Sequence, residues 1–130
     1  MPLLLIADDS MFQRFTLAKV ARGMGIDVLE AKTGVECLEL FRRHAPDAIC
    51  LDLNMPDMTG FEVLDALSGL SEQAGLSEQA GAVRVPPVAV ITADIQDTTR
   101  QRVQRHPFVT LFNKPLPEQT LKDFLHHALF

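Results

Sequence analysis

The sequence predicts a doubly wound α/β fold, in which a five-stranded parallel sheet carries five helices on its two faces. Short apolar runs alternate along the chain with segments whose apolar residues recur at helical spacing. Strands and helices that alternate in this way form a parallel sheet, because right-handed crossovers place helices on both faces. The length of 130 residues is that of one domain. We therefore expect a single domain spanning residues 1–130.

The chain begins with a predicted strand and a predicted helix. Leu3–Ala7 is an apolar run of strand length. Ser10 can cap the helix that follows, and Gly23 and Gly25 are typical stop signals. The next run, Ile26–Ala31, includes two acidic residues, which indicates a strand at the edge of the sheet rather than at its centre.

A second helix is predicted between Gly34 and Pro46, since proline disfavours helical conformation in the residue before it. Its predicted buried face carries Leu38, Phe41 and Ala45. The third strand, Ala48–Leu51, is wholly apolar, as expected of a strand covered on both faces. This strand ends at an acid, Asp52.

The third helix begins at Gly60 and leads into a tandem duplication. The hexapeptide Gly69–Ala74 is repeated without change as Gly75–Ala80. Two copies are too few for a repeat array, and the spaced glycines argue against one long helix. We therefore expect a helix end and an extended connection at 69–80, inserted on the side of the sheet opposite the acids.

Two strands and two helices complete the predicted fold. The strands are Val88–Ile91 and Phe108–Phe112. Between them lies a short helix with three arginines, Arg100, Arg102 and Arg105. The last helix begins near Pro117, and apolar residues follow it at helical spacing.

Composition and charge exclude several classes of function. The chain has 12 Lys and Arg against 17 Asp and Glu, a net charge of −5, so we expect neither direct nucleic-acid binding nor a membrane patch. No apolar run approaches the length of a membrane span or forms a secretion signal, which predicts a cytoplasmic protein. Cys37 and Cys50 lack metal-ligand spacing and are interpreted as reduced packing thiols.

Polar residues follow four of the predicted strands where each one ends: Asp8, Asp9, Asp52, Thr92 and Lys114. The carboxyl ends of parallel strands meet at one edge of a sheet, which is where open α/β sheets bind ligands. A random scatter of polar residues would fall on both edges. We therefore expect these side chains to form one site.

This set of residues favours phosphoryl transfer. Three adjacent carboxylates repel each other unless a cation joins them, and oxygen ligands without His or Cys favour Mg²⁺. Asp52 can act as a nucleophile and form an aspartyl phosphate. The metal, the Lys114 ammonium and the Thr92 hydroxyl can stabilise charge on the transferring oxygens.

The sequence resembles the response-regulator receiver domains of two-component signalling, of the stand-alone chemotaxis-regulator type. The matching motifs occur in family order and are Ile6–Ser10, Asp52–Gly60, Ile91–Ala93 and Lys114–Pro115. The resemblance covers essentially the whole chain. It implies the flavodoxin-like strand order 2-1-3-4-5.

The resemblance also implies a role for each site residue. Asp52 would be the phosphoacceptor, Thr92 and Lys114 would contact the phosphoryl group, and the Lys114–Pro115 peptide would be cis. The Mg²⁺ ligands would be the carboxylates of Asp8, Asp9 and Asp52 and the carbonyl of Asn54. Such a chain is not a conventional enzyme, because it catalyses only its own phosphorylation and dephosphorylation.

The implied partners are a sensor histidine kinase or phosphotransfer protein, and a downstream effector protein or a C-terminal output domain. One departure bears on output. The position three residues before Lys114 is usually aromatic in the family and is Leu111 here. Phe112 is no simple replacement, because successive strand residues point to opposite faces. The face formed by residues 93–130 is the candidate surface for partner binding or for a homodimer, and the alternative is a basic helix that is simply solvated.

Three alternative functions have weaker support. A nucleotide-binding enzyme would need a glycine-rich phosphate loop, and neither G-x-x-x-x-G-K-[ST] nor G-x-G-x-x-G occurs. A phosphatase with an aspartyl intermediate would have a second acid two residues after its nucleophile, where this chain has Asn54. A scaffold without phosphorylation would be expected to lose its acids or its lysine.

Overall fold

The computed structural model describes residues 2–76, 85–94 and 96–130, and within them strands and helices alternate. The strands are β1 (Leu3–Ala7), β2 (Asp27–Ala31), β3 (Ala48–Leu51), β4 (Val88–Thr92) and β5 (Val109–Asn113). The helices are α1 (Met11–Gly23), α2 (Gly34–His44), α3 (Gly60–Leu76), α4 (Asp97–Gln104) and α5 (Glu118–Leu129). The predicted elements are all present, with most boundaries within one residue of those expected.

The strands form one parallel sheet in the order β2-β1-β3-β4-β5, which confirms the doubly wound fold and the order implied by the family resemblance. Every residue of β3 and β4 is buried, as their apolar sequences predict. β2 lies at an edge and is only partly buried, in agreement with its two acids. β5 forms the opposite edge.

An apolar core lies on each face of the sheet, because successive strand residues point to opposite sides. Leu5 and Ile49 belong to the core that α2, α3 and α4 cover. Leu4 and Cys50 belong to the core that α1 and α5 cover. Each core takes residues from several strands, so the two helix layers fix the strand ends relative to each other.

The two cysteines lie in different cores. Cys37, on α2, packs in the core beneath α2, α3 and α4, and Cys50, on β3, packs in the core beneath α1 and α5. Both are free thiols and about 1% exposed. Burial raises the pKa of each thiol to about 12. The prediction that they are packing residues is confirmed.

The predicted place of Ala45 on the buried face of the second helix is wrong. The helix ends at His44, and Ala45 is an exposed C-cap with φ of 46°. Its N–H still donates a hydrogen bond of 3.0 Å to the carbonyl of Phe41. The steric effect of Pro46 on the residue before it prevents a further helical residue.

The glycines of the duplication were expected to end the third helix, and this prediction is wrong for the first copy, which is helical throughout. α3 runs from Gly60 to Leu76 and includes Gly69 and Gly75. A helix-interior glycine is less favourable than alanine by about 1 kcal/mol, but most residues around these two are good helix formers and propagation is cooperative. The rest of the second copy, residues 77–80, lies outside the described residues. Among the described helices, none is long and apolar enough to cross a membrane.

Candidate functional site

The four predicted strand ends meet at one rim of the sheet. Asp8 directly follows β1, Asp52 follows β3, Thr92 is the last residue of β4, and Lys114 follows β5. The sheet order places β1, β3, β4 and β5 side by side. The sheet therefore brings the ends of these four strands to one rim, and with them Asp8, Asp9, Asp52, Thr92 and Lys114.

Three carboxylates form a cluster at this rim. Oxygens of Asp8, Asp9 and Asp52 all lie within 4.8 Å of one another. Asp8 and Asp52 are buried, with 3% and 5% exposure, whereas Asp9 is exposed. The cluster thus opens to solvent on the side of Asp9.

Lys114 supplies a positive charge to the cluster. Its Nζ lies 3.6 Å from Oδ2 of Asp8 and 3.6 Å from Oδ1 of Asp52. The Lys114 N–H donates to the carbonyl of Thr92 at 2.8 Å, and this bond ties the segment after β5 to the end of β4. The Lys114–Pro115 peptide is cis, as the family resemblance implies.

The surroundings of Asp52 disfavour its charge. Burial is the largest cause of a raised pKa, and the charges of Asp8 and Asp9 raise this pKa further. The Asn54 N–H, which donates to Asp52 Oδ1 at 3.2 Å, and Lys114 act in the opposite direction but do not outweigh these effects. An additional cation at the cluster would stabilise the ionised carboxylate.

The donor set fits a hard divalent cation. Three carboxylate oxygens within reach of one another, without His or Cys among them, suit Mg²⁺, which prefers oxygen ligands and keeps several waters. The contact that the structure shows for Asn54 is the hydrogen bond from its N–H to Asp52. The role of the Asn54 carbonyl as a metal ligand stays a prediction.

Thr92 is completely buried at the end of β4. Its Oγ1 accepts a 3.0 Å hydrogen bond from the Asp94 N–H. The Asp94 carboxylate in turn accepts from the hydroxyl of Thr99 at 2.6 Å and from the Gln96 N–H at 2.9 Å, and these bonds lower its pKa. The hydroxyl predicted to contact the phosphoryl group is therefore linked by hydrogen bonds to the start of α4.

The loop after Asp52 is held by a residue that the sequence analysis missed. The Asp57 carboxylate accepts hydrogen bonds from the N–H groups of Gly34, at 3.0 Å, and Val35, at 3.2 Å. Desolvation would raise the pKa of Asp57, but these bonds outweigh it and lower the pKa. A Cβ at Gly34 would lie only 2.6 Å from the Met58 Cβ, so this close approach requires glycine.

Comparisons with known proteins agree with this fold. The family model for the response regulator receiver domain matches residues 4–126. The chain therefore belongs to the receiver-domain family of two-component signalling. Receiver domains are signalling modules that bind Mg²⁺ at a cluster of aspartates and interact with histidine kinases or phosphotransfer proteins and with effectors.

Individual relatives include two bacterial proteins and one protein of known structure. Protein PilH of Pseudomonas aeruginosa is 28% identical over 126 residues, covering 97% of this chain and 96% of its own. Chemotaxis protein CheY of Bacillus subtilis is 32% identical over 72 residues, covering 55% of this chain and 60% of its own. The structure of the chemotaxis protein CheY4 of Vibrio cholerae has a TM-score of 0.82 at 26% identity and covers 99% of both chains.

Proposed function

We propose that this chain is a phosphoacceptor, which takes a phosphoryl group onto Asp52 from a histidine kinase or phosphotransfer protein in a Mg²⁺-dependent reaction. The central observation is the buried Asp52 carboxylate, which lies beside two other carboxylates and 3.6 Å from the Lys114 ammonium. We further propose that residues 1–130 form one cytoplasmic receiver domain, with the duplication at 69–80 as an insertion. Phosphorylation would switch its binding to a partner.

The chemistry follows from the contacts of Asp52. The Asn54 N–H and Lys114 both engage Oδ1, and we assign the attack on phosphorus to Oδ2. A bond forms between this oxygen and phosphorus while the bond from phosphorus to the donor's imidazole nitrogen breaks, and the nitrogen keeps the electron pair. Asp8, Asp9, Asp52 and the Asn54 carbonyl would hold Mg²⁺. When bound, the metal would supply positive charge to the cluster and to the phosphoryl oxygens.

Lys114 and Thr92 are assigned to the phosphoryl oxygens. The Lys114 ammonium lies between the β1 and β3 acids and can follow the charge as it moves from carboxylate to phosphoryl group. The Thr92 hydroxyl accepts from Asp94, so its own proton is available to donate to a phosphoryl oxygen. This role would couple phosphorylation to the Asp94 hydrogen bonds at the start of α4.

A group of exposed apolar side chains beside the site favours a protein phosphodonor. Met11 and Phe12 are each 74% exposed and Phe15 is 63% exposed, and α1, which carries them, begins two residues after Asp9. Adjacent exposed apolar side chains are typical of protein interaction surfaces. We expect Phe12→Ser and Phe15→Ser to retain labelling by acetyl phosphate. Labelling by a phosphorylated histidine phosphotransfer domain that labels the wild type should fall.

Output would occur through the face of α4, β5 and α5. A groove of about 410 Å³ lies along α4 and β5, with Arg100 and Leu111 in its lining. Leu111 packs towards the core of α2, α3 and α4, while Phe112 packs in the other core, edge-on to Phe124 with ring centroids 5.7 Å apart. Phe112 is therefore on the wrong face to act in place of an aromatic residue at 111.

Two arginines of α4, Arg100 and Arg102, differ in their contacts within the protein and so in their availability to a partner. The Arg102 guanidinium lies 3.8 Å from the ring centroid of Phe61 on α3, where it makes a cation–π contact. Arg100 instead borders the groove. Hydrogen exchange with and without beryllofluoride tests the output face, and the proposal expects protection to change across 93–112. Changes confined to the acidic rim would contradict it.

Labelling by acetyl phosphate in the presence of Mg²⁺ tests the phosphoacceptor directly. We expect one phosphoryl group per chain on the wild type and none on Asp52→Asn, which keeps the side-chain shape but lacks the attacking oxygen. Glu39→Gln, which changes an exposed acid on α2, is the control and should be labelled like the wild type. Turnover of acetyl phosphate without accumulation of a labelled aspartate would indicate a phosphatase, and a wild type that neither becomes labelled nor turns over would indicate a scaffold.

A further inference from the structure

A buried arginine lies directly behind the acid cluster. Arg14, the fourth residue of α1, is only 5% exposed. Its Nη1 donates a 2.6 Å hydrogen bond to the backbone carbonyl of Asp8. A charged donor in a buried environment makes a strong hydrogen bond.

The other side of the same guanidinium contacts the edge strand. Arg14 Nε lies 3.5 Å from Oε1 of Glu30, and Glu30 also pairs with Arg22 Nη2 at 3.7 Å. Glu30 belongs to β2, where it stands opposite Ile6 of β1. Arg14 therefore joins the end of β1 to the side chain of a neighbouring strand.

The contacts of Asp8 explain why a hydrogen bond to its carbonyl has consequences for the site. The Asp8 N–H donates to the carbonyl of Ala31 at 3.1 Å, so its backbone is held by β2 on one side and by Arg14 on the other. The Asp8 carboxylate accepts from the Ser10 N–H through Oδ1, while Oδ2 faces Lys114. Fixing the peptide between residues 8 and 9 thus fixes the direction of two adjacent carboxylates.

We propose that Arg14 is a positioning residue for the Mg²⁺ site, which holds the Asp8 carbonyl so that the carboxylates of Asp8 and Asp9 converge on the cation. This inference rests on the proposed function, because it deepens the role of the same cluster. Groups that orient metal ligands without touching the metal change metal affinity by roughly 10–100-fold. Arg14 contacts a carbonyl rather than the carboxylates, so its effect depends on the geometry of its hydrogen bond and not only on its charge.

Three variants distinguish the hydrogen bond of Arg14 from its charge: Arg14→Met, Arg14→Lys and Arg22→Met. Arg14→Met removes the hydrogen bond and the charge but keeps much of the apolar volume. Arg14→Lys keeps the charge and loses the planar fork that reaches both partners. Arg22→Met is the matched control, because Arg22 pairs with the same Glu30 from about two turns further along α1.

Isothermal titration with Mg²⁺ and urea unfolding in EDTA give readouts that do not depend on labelling. We expect Arg14→Met and Arg14→Lys to weaken Mg²⁺ binding by about tenfold or more, and Arg22→Met to stay within about twofold of the wild type. In acetyl phosphate labelling, the Mg²⁺ concentration for half-maximal rate should rise in the same proportion. The rate at saturating Mg²⁺ should change much less, since Asp52 and Lys114 are intact.

Three results would overturn the inference. Wild-type Mg²⁺ affinity in folded Arg14→Met would show that Arg14 serves packing alone. Wild-type affinity in Arg14→Lys would assign the effect to charge, and an equal loss in Arg22→Met would assign it to the Glu30 pair. If Arg14→Met does not fold, Arg14→Lys decides the question. A wild type that binds Mg²⁺ but is never labelled would contradict the proposed function and leave this measurement of affinity valid.

Discussion

Replacing Asp52 by Asn should make the metal-free protein more stable while abolishing its phosphorylation. Asp52 is buried next to two other acids, and its pKa is raised chiefly by that burial. The amide keeps an oxygen that can accept the Asn54 N–H bond. The substitution therefore removes an unfavourable charge without removing the local hydrogen bond.

The charge–charge part of this effect follows from the distances at the site, and relief of the burial penalty acts in the same direction. For two unit charges separated by 4.8 Å, the limit of the cluster, the repulsion is about 0.9 kcal/mol in water and about 3.5 kcal/mol at an effective dielectric constant of 20. Asn at 52 removes two such repulsions and one attraction to Lys114, which at 3.6 Å is about 1.2 to 4.6 kcal/mol over the same range. The balance is a gain of about 0.5 to 2 kcal/mol, or a rise in Tm of roughly 2–8 °C for a domain of this size.

The gain should depend on pH in a defined direction. The pKa of Asp52 in the folded protein lies above the ordinary value of 3.8, so the native state binds the proton more tightly than the unfolded state does. The penalty is absent below the unfolded pKa and grows as pH rises through the folded pKa. The difference in stability between Asp52→Asn and the wild type should therefore shrink towards acid pH and be largest at neutral pH.

Urea unfolding in EDTA, followed by far-UV circular dichroism across a pH series, measures this difference. Glu39→Gln is the control, because it removes one unit of negative charge from an exposed position on α2. The reasoning would be refuted if Asp52→Asn proved less stable than the wild type at neutral pH without metal. A gain of the same size in Glu39→Gln would assign the effect to net charge rather than to the cluster.

Three further predictions concern the metal, the duplication and the loop after the phosphoacceptor. Mg²⁺ should raise the Tm of the wild type above its value in EDTA, because at a concentration ten times Kd it adds about 1.4 kcal/mol to the free energy of unfolding. An unchanged Tm would argue against a metal site. Deleting Gly75–Ala80 should leave acetyl phosphate labelling intact, and a large loss of labelling with unchanged circular dichroism would contradict this. Asp57→Asn should lower the Tm, because the ionised carboxylate accepts from the N–H groups of Gly34 and Val35. The pKa of Asp57 is lowered in the folded protein, so its contribution to stability should be present above pH 3.8 and should decline as the pH falls through the folded pKa. The control is Thr33→Ala, which removes the uncharged cap of α2, so its loss of stability should depend little on pH.

Much of the site could be predicted because its residues stand at the ends of apolar runs. A wholly apolar run such as β3 marks a central strand, and the first acid after it must emerge at the carboxyl rim. The sheet then brings together residues as distant as Asp8 and Lys114 without any further information from the sequence. Residue type and strand position were sufficient for these predictions.

The supporting contacts were not predictable in this way. Asp57 reaches the start of α2, and Arg14 reaches the Asp8 carbonyl, through side-chain orientations that no periodic pattern encodes. Ala45 was placed on the buried face because its spacing is helical, yet the residue after it is proline. The spacing of the glycines in the duplication predicts a break, but both Gly69 and Gly75 lie within α3 because good helix formers surround them.

The two buried cysteines give this protein a built-in reporter of local opening. The chain contains neither Trp nor Tyr, so intrinsic fluorescence offers little, but one thiol lies beneath each helix layer. Alkylation of Cys37 requires the layer containing α2 to separate from the sheet, and alkylation of Cys50 requires exposure of the central strand β3. Reaction rates measured for single-cysteine variants, before and after phosphorylation, would therefore show which helix layer loosens when the signal arrives.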